Sequence, residues 1–552
     1  MTEKLTRRTL IARGGAALGT LALPAVFGPA AEAARRAVGG DLAGLGAPSQ
    51  TIVFGMETVP PGLDPHKWWN GAAFQGGVNI FDRLLNLDEK TGKIGPGLAA
   101  MPTVSNGGKT YVFKLRSGVA FHDGSPLTAD DVKFSFERLL SPELAGEASG
   151  IYSVLPIAGI GTFLAGKATS IPGIVVMDPH TVAFHFDAPD SGFVPSITYT
   201  PASIVPAAVV KRLGQKKFNW APVGTGPFKI ASVSQQRGVK LVKNPHYWQP
   251  GLPKASAVDW QFHVDPQLSA LRILRGDQDM MYEPAPAGII DQVRSNPAKS
   301  KQLVVTQLNE CWWVSLSEKV PQLKKVEVRK AIAMAIDKDK LHRTLKGIGL
   351  VGSGGIFAPL SPYYQAGLAW PYDPAGAKKL LASAGLASGF TVKAWCANFF
   401  PWTDMAQSVQ QDLSAVGIKM DLTPMSYDQF VNLTNGAPAG LVFFNWGLVY
   451  PHGSFIVDAA FTKAAIKAGC CNYADWTSPA FDVLATKAHR TPSTATSISL
   501  YKQLDRIVTR EEVVWVPLIY GARPDLISSR VQGFESGTGG TDEPKELWTV
   551  SV

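Results

Sequence analysis

The residues of this chain best placed to do chemistry lie in one short stretch, "NWGLVYPHG", Asn445 to Gly453, which follows the apolar run "GLVFF". Asn445, Trp446, Tyr450 and His452 bring an amide, two aromatic rings and an imidazole together, with Val449 among them and no carboxylate to hold a positive charge. Such a set suits recognition: ring faces supply contact area, and neutral polar groups orient a solute through hydrogen bonds. Other tryptophans, of 14 in the chain, stand in "KWWN" (Trp68, Trp69), "CWW" (Trp312, Trp313) and "PWTD" (Trp402). There, stacking on a sugar, an aromatic or a chelate competes with plain core packing. Bond-breaking chemistry finds no comparable set. The nine histidines are dispersed, and neither HExxH nor the GxSxG nucleophile elbow occurs. No CxxC or Cys/His spacing suits zinc, so no metal and no other cofactor is expected.

The elements that must position these residues can be read from periodicity. "TIVFGM" (from Thr51) and "KTYVFKL" (from Lys109) have the two-residue period of strands. In "LTADDVKFSFERLLSP", Thr128 caps a helix with Asp131 three residues on, and Val132, Phe136, Leu139 and Leu140 share one face before Pro142. "VEVRKAIAMAIDKDKLHRTLKG" reads as one helix running to Gly347, and "DPAGAKKLLASAG" as a short one capped by Asp373. Then "FTVKAW", "DMAQSVQQDLSAVG", "IKMDL", "SYDQFVNL" and "GLVFFNW" alternate strand and helix, the mark of an α/β domain with a largely parallel sheet. Ligands sit beyond the carboxyl ends of such strands, and Trp446 stands at one. "GIGLVG" at Gly347 fits GxGxxG but follows a helix and opens none, so it is no dinucleotide site; "GGKT" at Gly107 and "GTGPF" at Gly224 are turns.

The chain has 552 residues, 45% hydrophobic and 18% charged, enough for two or three domains. Residues 1–33 have a twin-arginine pair (Arg7, Arg8), an apolar centre broken by Pro24, and a small-x-small end at Ala31 and Ala33. They read as a Tat-type export signal, followed by a linker over 34–49. Removing residues 1–33 takes away four basic and two acidic side chains, so the formal charge falls from +9 to about +7. Lys and Arg are scattered and form no stripe, so no nucleic-acid partner is expected. No cysteine precedes Cys311, which leaves none for a lipid anchor after the signal. Cys311, Cys396, Cys470 and Cys471 could form one or two disulfides, although a bond between the adjacent Cys470 and Cys471 is expected to be too strained.

Several stretches together resemble the solute-binding subunits of ABC importers, in the peptide and nickel group known as family 5. They are "LDPH" (Leu63), "FDRLLNLDEKTGKIGPGLA" (Phe81), "GKTYVFKLRSGVAFHDGSPLTADDVKFSFERL" (Gly108), "PVGTGPFKI" (Pro222), "NPHYW" (Asn244), "VRKAIAMAID" (Val328) and "DPAGAKKLLASAG" (Asp373). The resemblance covers nearly all of the chain after the signal. It implies a periplasmic binding protein type II clamshell, α/β, with an extra third domain. Domain I would span 50–80, 201–308 and 519–552, domain II 81–200 and domain III 309–518. Two hinge crossings would fall near "LNECWW" and "VPLIYGA". It further implies a soluble, monomeric, non-enzymatic periplasmic protein that captures a small-molecule solute between two lobes and delivers it to ABC transporter permease subunits at the membrane. In peptide-binding relatives the strand-end stretch resembles W-x-x-D-Y, and the aspartate grips the peptide's ammonium. Here Trp446 and Tyr450 keep the frame, Val449 replaces the aspartate, and Phe443 stands where some relatives place an arginine. A buried ammonium without its counter-ion would lose several kcal/mol. The expected ligand therefore lacks a free α-ammonium: an oligosaccharide, an opine-like conjugate, a metal chelate or a blocked peptide. A di- or oligopeptide binder is the alternative, and a periplasmic hydrolase the alternative of another class.

Overall fold

The computed structural model describes residues 50–552 apart from 68–70, 89–90, 145–151, 153–154, 435, 469–470 and 535–545. The signal and linker (1–49), Trp68, Trp69 and Cys470 thus lie outside the described residues.

Strand β1 (Thr51–Gly55) buries Ile52 and Phe54, as its alternation requires. After the hairpin β2 (Leu85–Asp88) and β3 (Lys93–Pro96) come β4 (Thr103–Ser105), β5 (Thr110–Lys114), β6 (Ile174–Asp178) and β7 (Thr181–His185), an antiparallel sheet ordered β4-β5-β7-β6. Helix α1 (Ala129–Leu140) covers this sheet with Val132, Phe136, Leu139 and Leu140. Its N-terminus is a capping box: the Thr128 hydroxyl serves the third helical N–H while Asp131 accepts from the Thr128 backbone at 3.1 Å. The chain then returns through β8 (Phe228–Ser234), β9 (Gly238–Lys243), β10 (Ala257–Gln261) and β11 (Met280–Met281) to complete a sheet ordered β11-β1-β10-β9-β8. The last sheet contains β12 (Leu303–Leu316), β13 (Leu350–Val351), β14 (Phe390–Ala397), β15 (Ile418–Met425), β16 (Leu441–Gly447) and β17 (Trp515–Leu526), ordered β13-β17-β12-β16-β14-β15.

Only the β16-β14-β15 part of that sheet is parallel, as the strand and helix alternation predicts. β12, β13 and β17 add antiparallel strands to it. The single helix expected from Val326 onward is two. Val326–Ala335 ends at Ile336, whose backbone is extended, and Asp337 caps a second helix by accepting from Lys340 N at 2.8 Å. An Asp placed after an apolar run competes for the backbone as a cap, and here it wins over continuity. The Asp373 cap occurs as read, accepting from Gly376 N at 2.8 Å.

Five of the quoted sequence pieces meet in two buried polar knots. Asp64 of "LDPH" is paired in bidentate fashion with Arg138 of α1, and the same guanidinium donates to His66 Nδ1 at 2.9 Å. Burial and Arg138 push the His66 imidazole down to about 4, so it stays neutral and bonds Ser203 O at 2.8 Å. Thr225 of "GTGPF" with Tyr247 and Trp248 of "NPHYW" all donate to the Asp82 carboxylate, at 2.8, 3.0 and 3.1 Å. Cys311 and Cys396 are buried free thiols, whereas Cys471 is disulfide-bonded. The expectation for Cys470 falls outside the described residues.

Candidate functional site

Two long strands carry the site. β12 and β17 pair antiparallel from Leu303↔Leu526 to Ser315↔Trp515, and just past β17 Ile527 bridges to Met280 of the first sheet. Their ladder therefore runs from the first sheet into the last, and its register shifts twice, between Gln307 and Cys311 and between Trp312 and Trp313. Gln307 pairs with Ala522 and Cys311 with Tyr520, so Leu308, Asn309 and Glu310 face Gly521 alone. A bulge of this kind re-aims side chains. The carbonyls it orphans are served by Gln307, whose Nε2 donates to Gly521 O at 2.7 Å and Tyr520 O at 3.2 Å.

Register places Glu310 opposite Gly447 and Trp312 opposite Asn445, so Glu310, Trp312 and Asn445 share one face of the sheet. The Glu310 carboxylate is buried and accepts twice: Trp312 Nε1 donates to Oε1 at 2.6 Å and Asn445 Nδ2 to Oε2 at 2.9 Å. Gly521 is required there, since a Cβ on it would lie 2.1 Å from Glu310 Oε1. Trp402 packs on Trp312 with ring centroids 5.6 Å apart; it opens the helix Trp402–Ala415 and does not stand on a loop. The sequence leaves "NWGLVYPHG" without a carboxylate, and the fold brings one to it from β12.

The opposite face holds an aromatic stack. Trp313 lies on Trp515 at 3.7 Å and 14°, Tyr473 follows at 5.6 Å from Trp313, and Trp446 stands 6.2 Å from Trp515. Trp313 is fully buried and belongs to the core, while Trp446 at the strand end is half-buried against Phe455. Val449 is half-buried on the same cluster, and Tyr450 packs on Phe455 at 5.3 Å.

His452 takes another role from the one its loop position implied. It is 4% exposed, and both ring nitrogens are engaged: Nδ1 with Ser454 Oγ at 2.8 Å and Nε2 with Ser191 Oγ at 3.0 Å. Ser191 Oγ donates to His489 O at 2.9 Å, and the Ser454 backbone N–H reaches His452 Nδ1. A hydroxyl has one proton, so His452 carries its own on Nε2 and donates it to Ser191. That is the reverse of nucleophile activation, in which the imidazole takes the serine proton. Burial holds His452 well below its ordinary pKa, hence neutral. Beside it, His489 at the end of α2 (Pro479–Arg490) bonds Asp458 at 2.7 Å through Nδ1 and Asp190 at 3.2 Å through Nε2. Burial alone would lower the His489 pKa, but Asp458 and Asp190 outweigh it and raise it to about 10. Arg490 adds a second cation on Asp190 at 2.6 Å. These contacts tie the loop after β7 to α2.

The sequence reading missed more than Glu310. Phe399 and Tyr427 follow the ends of β14 and β15, are 45% and 47% exposed, and have ring centroids 6.4 Å apart. The rule that ligands sit beyond parallel strand ends would have found both. Glu57 and Glu283 likewise follow β1 and β11, the Glu57 N–H donating to Glu283 Oε1 at 2.8 Å. No cluster of metal-ligating side chains occurs among the described residues.

Two sets of lobes joined by a pair of crossing strands, with polar and aromatic groups at the strand ends, define a clamshell binding protein. The chain belongs to the bacterial extracellular solute-binding proteins, family 5, whose middle-region sequence model matches residues 93–468. It is similar to di/tripeptide-binding protein 1 of Pseudomonas aeruginosa (strain UCBPP-PA14), 26% identical over 91% of this chain and 94% of the relative. It is also similar to the glutathione-binding protein GsiB of Escherichia coli (strain K12), 26% identical over 86% of this chain and 89% of the relative. Among solved structures, the ABC transporter-associated periplasmic binding protein DppA from Helicobacter pylori, in complex with the peptide STSA, superposes with a TM-score of 0.75 at 23% identity. That match covers 91% of this chain and 98% of the other. The fold is thus the two-lobed one with two hinge crossings, and the chain is a solute-binding protein that delivers its solute to an ABC transporter. No helix among the described residues is long and apolar enough to cross a membrane.

Proposed function

We propose that this chain is an exported, non-enzymatic monomer whose lobes, 50–308 with 519–552 on one side and 309–518 on the other, close over a polar solute lacking a free α-ammonium. The observation that carries this reading is Val449. It is half-buried against the aromatic cluster that includes Tyr450 and Phe455, where W-x-x-D-Y relatives keep an aspartate. Glu310 does not replace that aspartate: it is buried on the sheet face that carries Trp312 and Asn445, whereas Val449 packs on the aromatic cluster of the opposite face. An ammonium lodged at Val449 would lose its water without gaining a counter-ion, at several kcal/mol. Asn445, Trp446, Tyr450 and Phe399 supply contacts for hydroxyls, amides and ring faces. A hydrolytic reading is disfavoured by the direction of the Ser191–His452 hydrogen bond.

Calorimetry with trialanine, N-acetyl-trialanine and maltotriose tests the ligand class. Binding of a blocked or sugar solute with trialanine at least ten-fold weaker is expected; tight trialanine binding overturns it. Light scattering checks the monomer, and Arg7→Lys with Arg8→Lys, expected to stop export, checks the Tat route.

A further inference from the structure

The strand-end amide is held in one orientation. A carboxylate oxygen that accepts needs an N–H opposite it, so the bond from Asn445 Nδ2 to Glu310 Oε2 turns the Asn445 Oδ1 the other way. Asn445 is half-buried, and its Oδ1 accepts from no protein group among the described residues. One residue before Glu310, the Asn309 Oδ1 is buried and unpartnered, while the Asn309 carbonyl receives Leu448 N at the end of β16. Acceptors without donors thus flank this strand end. The Trp312 indole N–H, which could have served an acceptor on a solute, is taken up by Glu310 at 2.6 Å. The carboxylate itself is fixed by the β12 bulge and by the missing side chain at Gly521.

We propose that Glu310 is a positioning residue of the solute site: it orients the Asn445 amide so that Oδ1 meets the solute, which must offer a hydrogen-bond donor there, a hydroxyl or an amide N–H. This rests on the reading that the solute lies at the end of β16. Selectivity follows from chemistry. A solute face bearing only acceptors would oppose the Oδ1 lone pairs and leave both groups unsatisfied, whereas a hydroxyl or amide N–H completes the pair. Glu310 does not touch the solute and acts on it through Asn445.

The test has two parts. In ligand-free protein labelled with ¹⁵N-asparagine, the Asn445 side-chain amide is assigned by its loss in Asn445→Ala. Its carboxylate-bonded proton is expected downfield and slow to exchange, to lose both properties in Glu310→Gln, and to regain them in part in Glu310→Asp. An Asn445 amide indifferent to Glu310→Gln overturns the proposal. In the second part, maltotriose, N-acetyl-trialanine and glycine betaine, which has no N–H or O–H donor, are titrated into wild type, Glu310→Gln, Asn445→Ala and the double variant. Glu310→Gln is expected to weaken the donor-bearing probes about ten-fold in the wild-type background and less than two-fold when Asn445 is already alanine. Equal losses in both backgrounds, or Asn445-dependent binding of glycine betaine, overturn it. Asn445→Ala and Trp446→Ala both binding as tightly as wild type would instead refute the placement of the solute, whatever the amide signal shows.

Discussion

His489 offers the most quantitative check on how the loop after β7 is held to α2. The folded protein keeps its imidazolium up to about 10, because Asp458 and Asp190 flank it, while the unfolded chain releases the proton near 6.5. A shift of about 3.5 units corresponds to ~5 kcal/mol at most, at about 1.4 kcal/mol per unit. With folded-state pKa raised, this stabilisation is complete below pH 6.5 and disappears as pH rises through about 10. Working the two titrations through, wild type gains roughly 4 kcal/mol from this site at pH 7 and roughly 1 kcal/mol at pH 9.5. His489→Gln cannot carry the charge. Urea denaturation followed by tryptophan fluorescence should therefore find the gap between wild type and His489→Gln narrowing by about 3 kcal/mol between these two pH values. Groups that titrate equally in both proteins cancel in the difference. A gap that stays constant over that range would refute the charged, doubly bonded His489.

Asp505 shows the same sign in a lower pH window. Burial raises its pKa to about 7 despite hydrogen bonds from Ile356 N and Thr509. The folded state thus keeps a proton the unfolded chain loses near 3.8, and wild type should lose about 3 kcal/mol relative to Asp505→Asn between pH 5 and pH 8, read by denaturation at both. Gly521→Ala should cost about 1–3 kcal/mol by forcing a Cβ onto Glu310, and the Asn445 amide signal should move with it. Asp64→Ala leaves Arg138 charged and buried without its partner, for a loss of about 3–5 kcal/mol in denaturation midpoint terms. Thr128→Ala removes half of a capping box and should cost about 1 kcal/mol by the same assay.

What the sequence disclosed was local. The Thr128 and Asp373 caps involve residues three apart, so spacing alone reveals them. The alternation from Phe390 to Gly447 fixes the parallel part of the last sheet for the same reason. The break at Ile336 escaped because an apolar periodicity runs on through it, and only the Asp337 cap shows where one helix yields to the next. Glu310 escaped because nothing in "LNECWW" says which residue across the sheet it will face; its bond to Asn445 spans 135 positions. The burial of His452 was not legible for a like cause, its partner Ser191 being 261 positions away. Trp313 and Trp446 are both tryptophans near a strand end and both stack on Trp515, and only the closer approach of Trp313, 3.7 Å against 6.2 Å, accompanies full burial.

On the proposed division into lobes, the gap in the β12–β17 ladder puts Glu310 at the joint about which the two halves turn. Gripping the cargo and swinging shut are therefore not separable properties of this molecule. A substitution at Asn309, Glu310 or Gly521 that retunes what is accepted will also alter how quickly it is let go, so variants selected for a new nutrient should differ in transport rate even where their equilibrium affinities match.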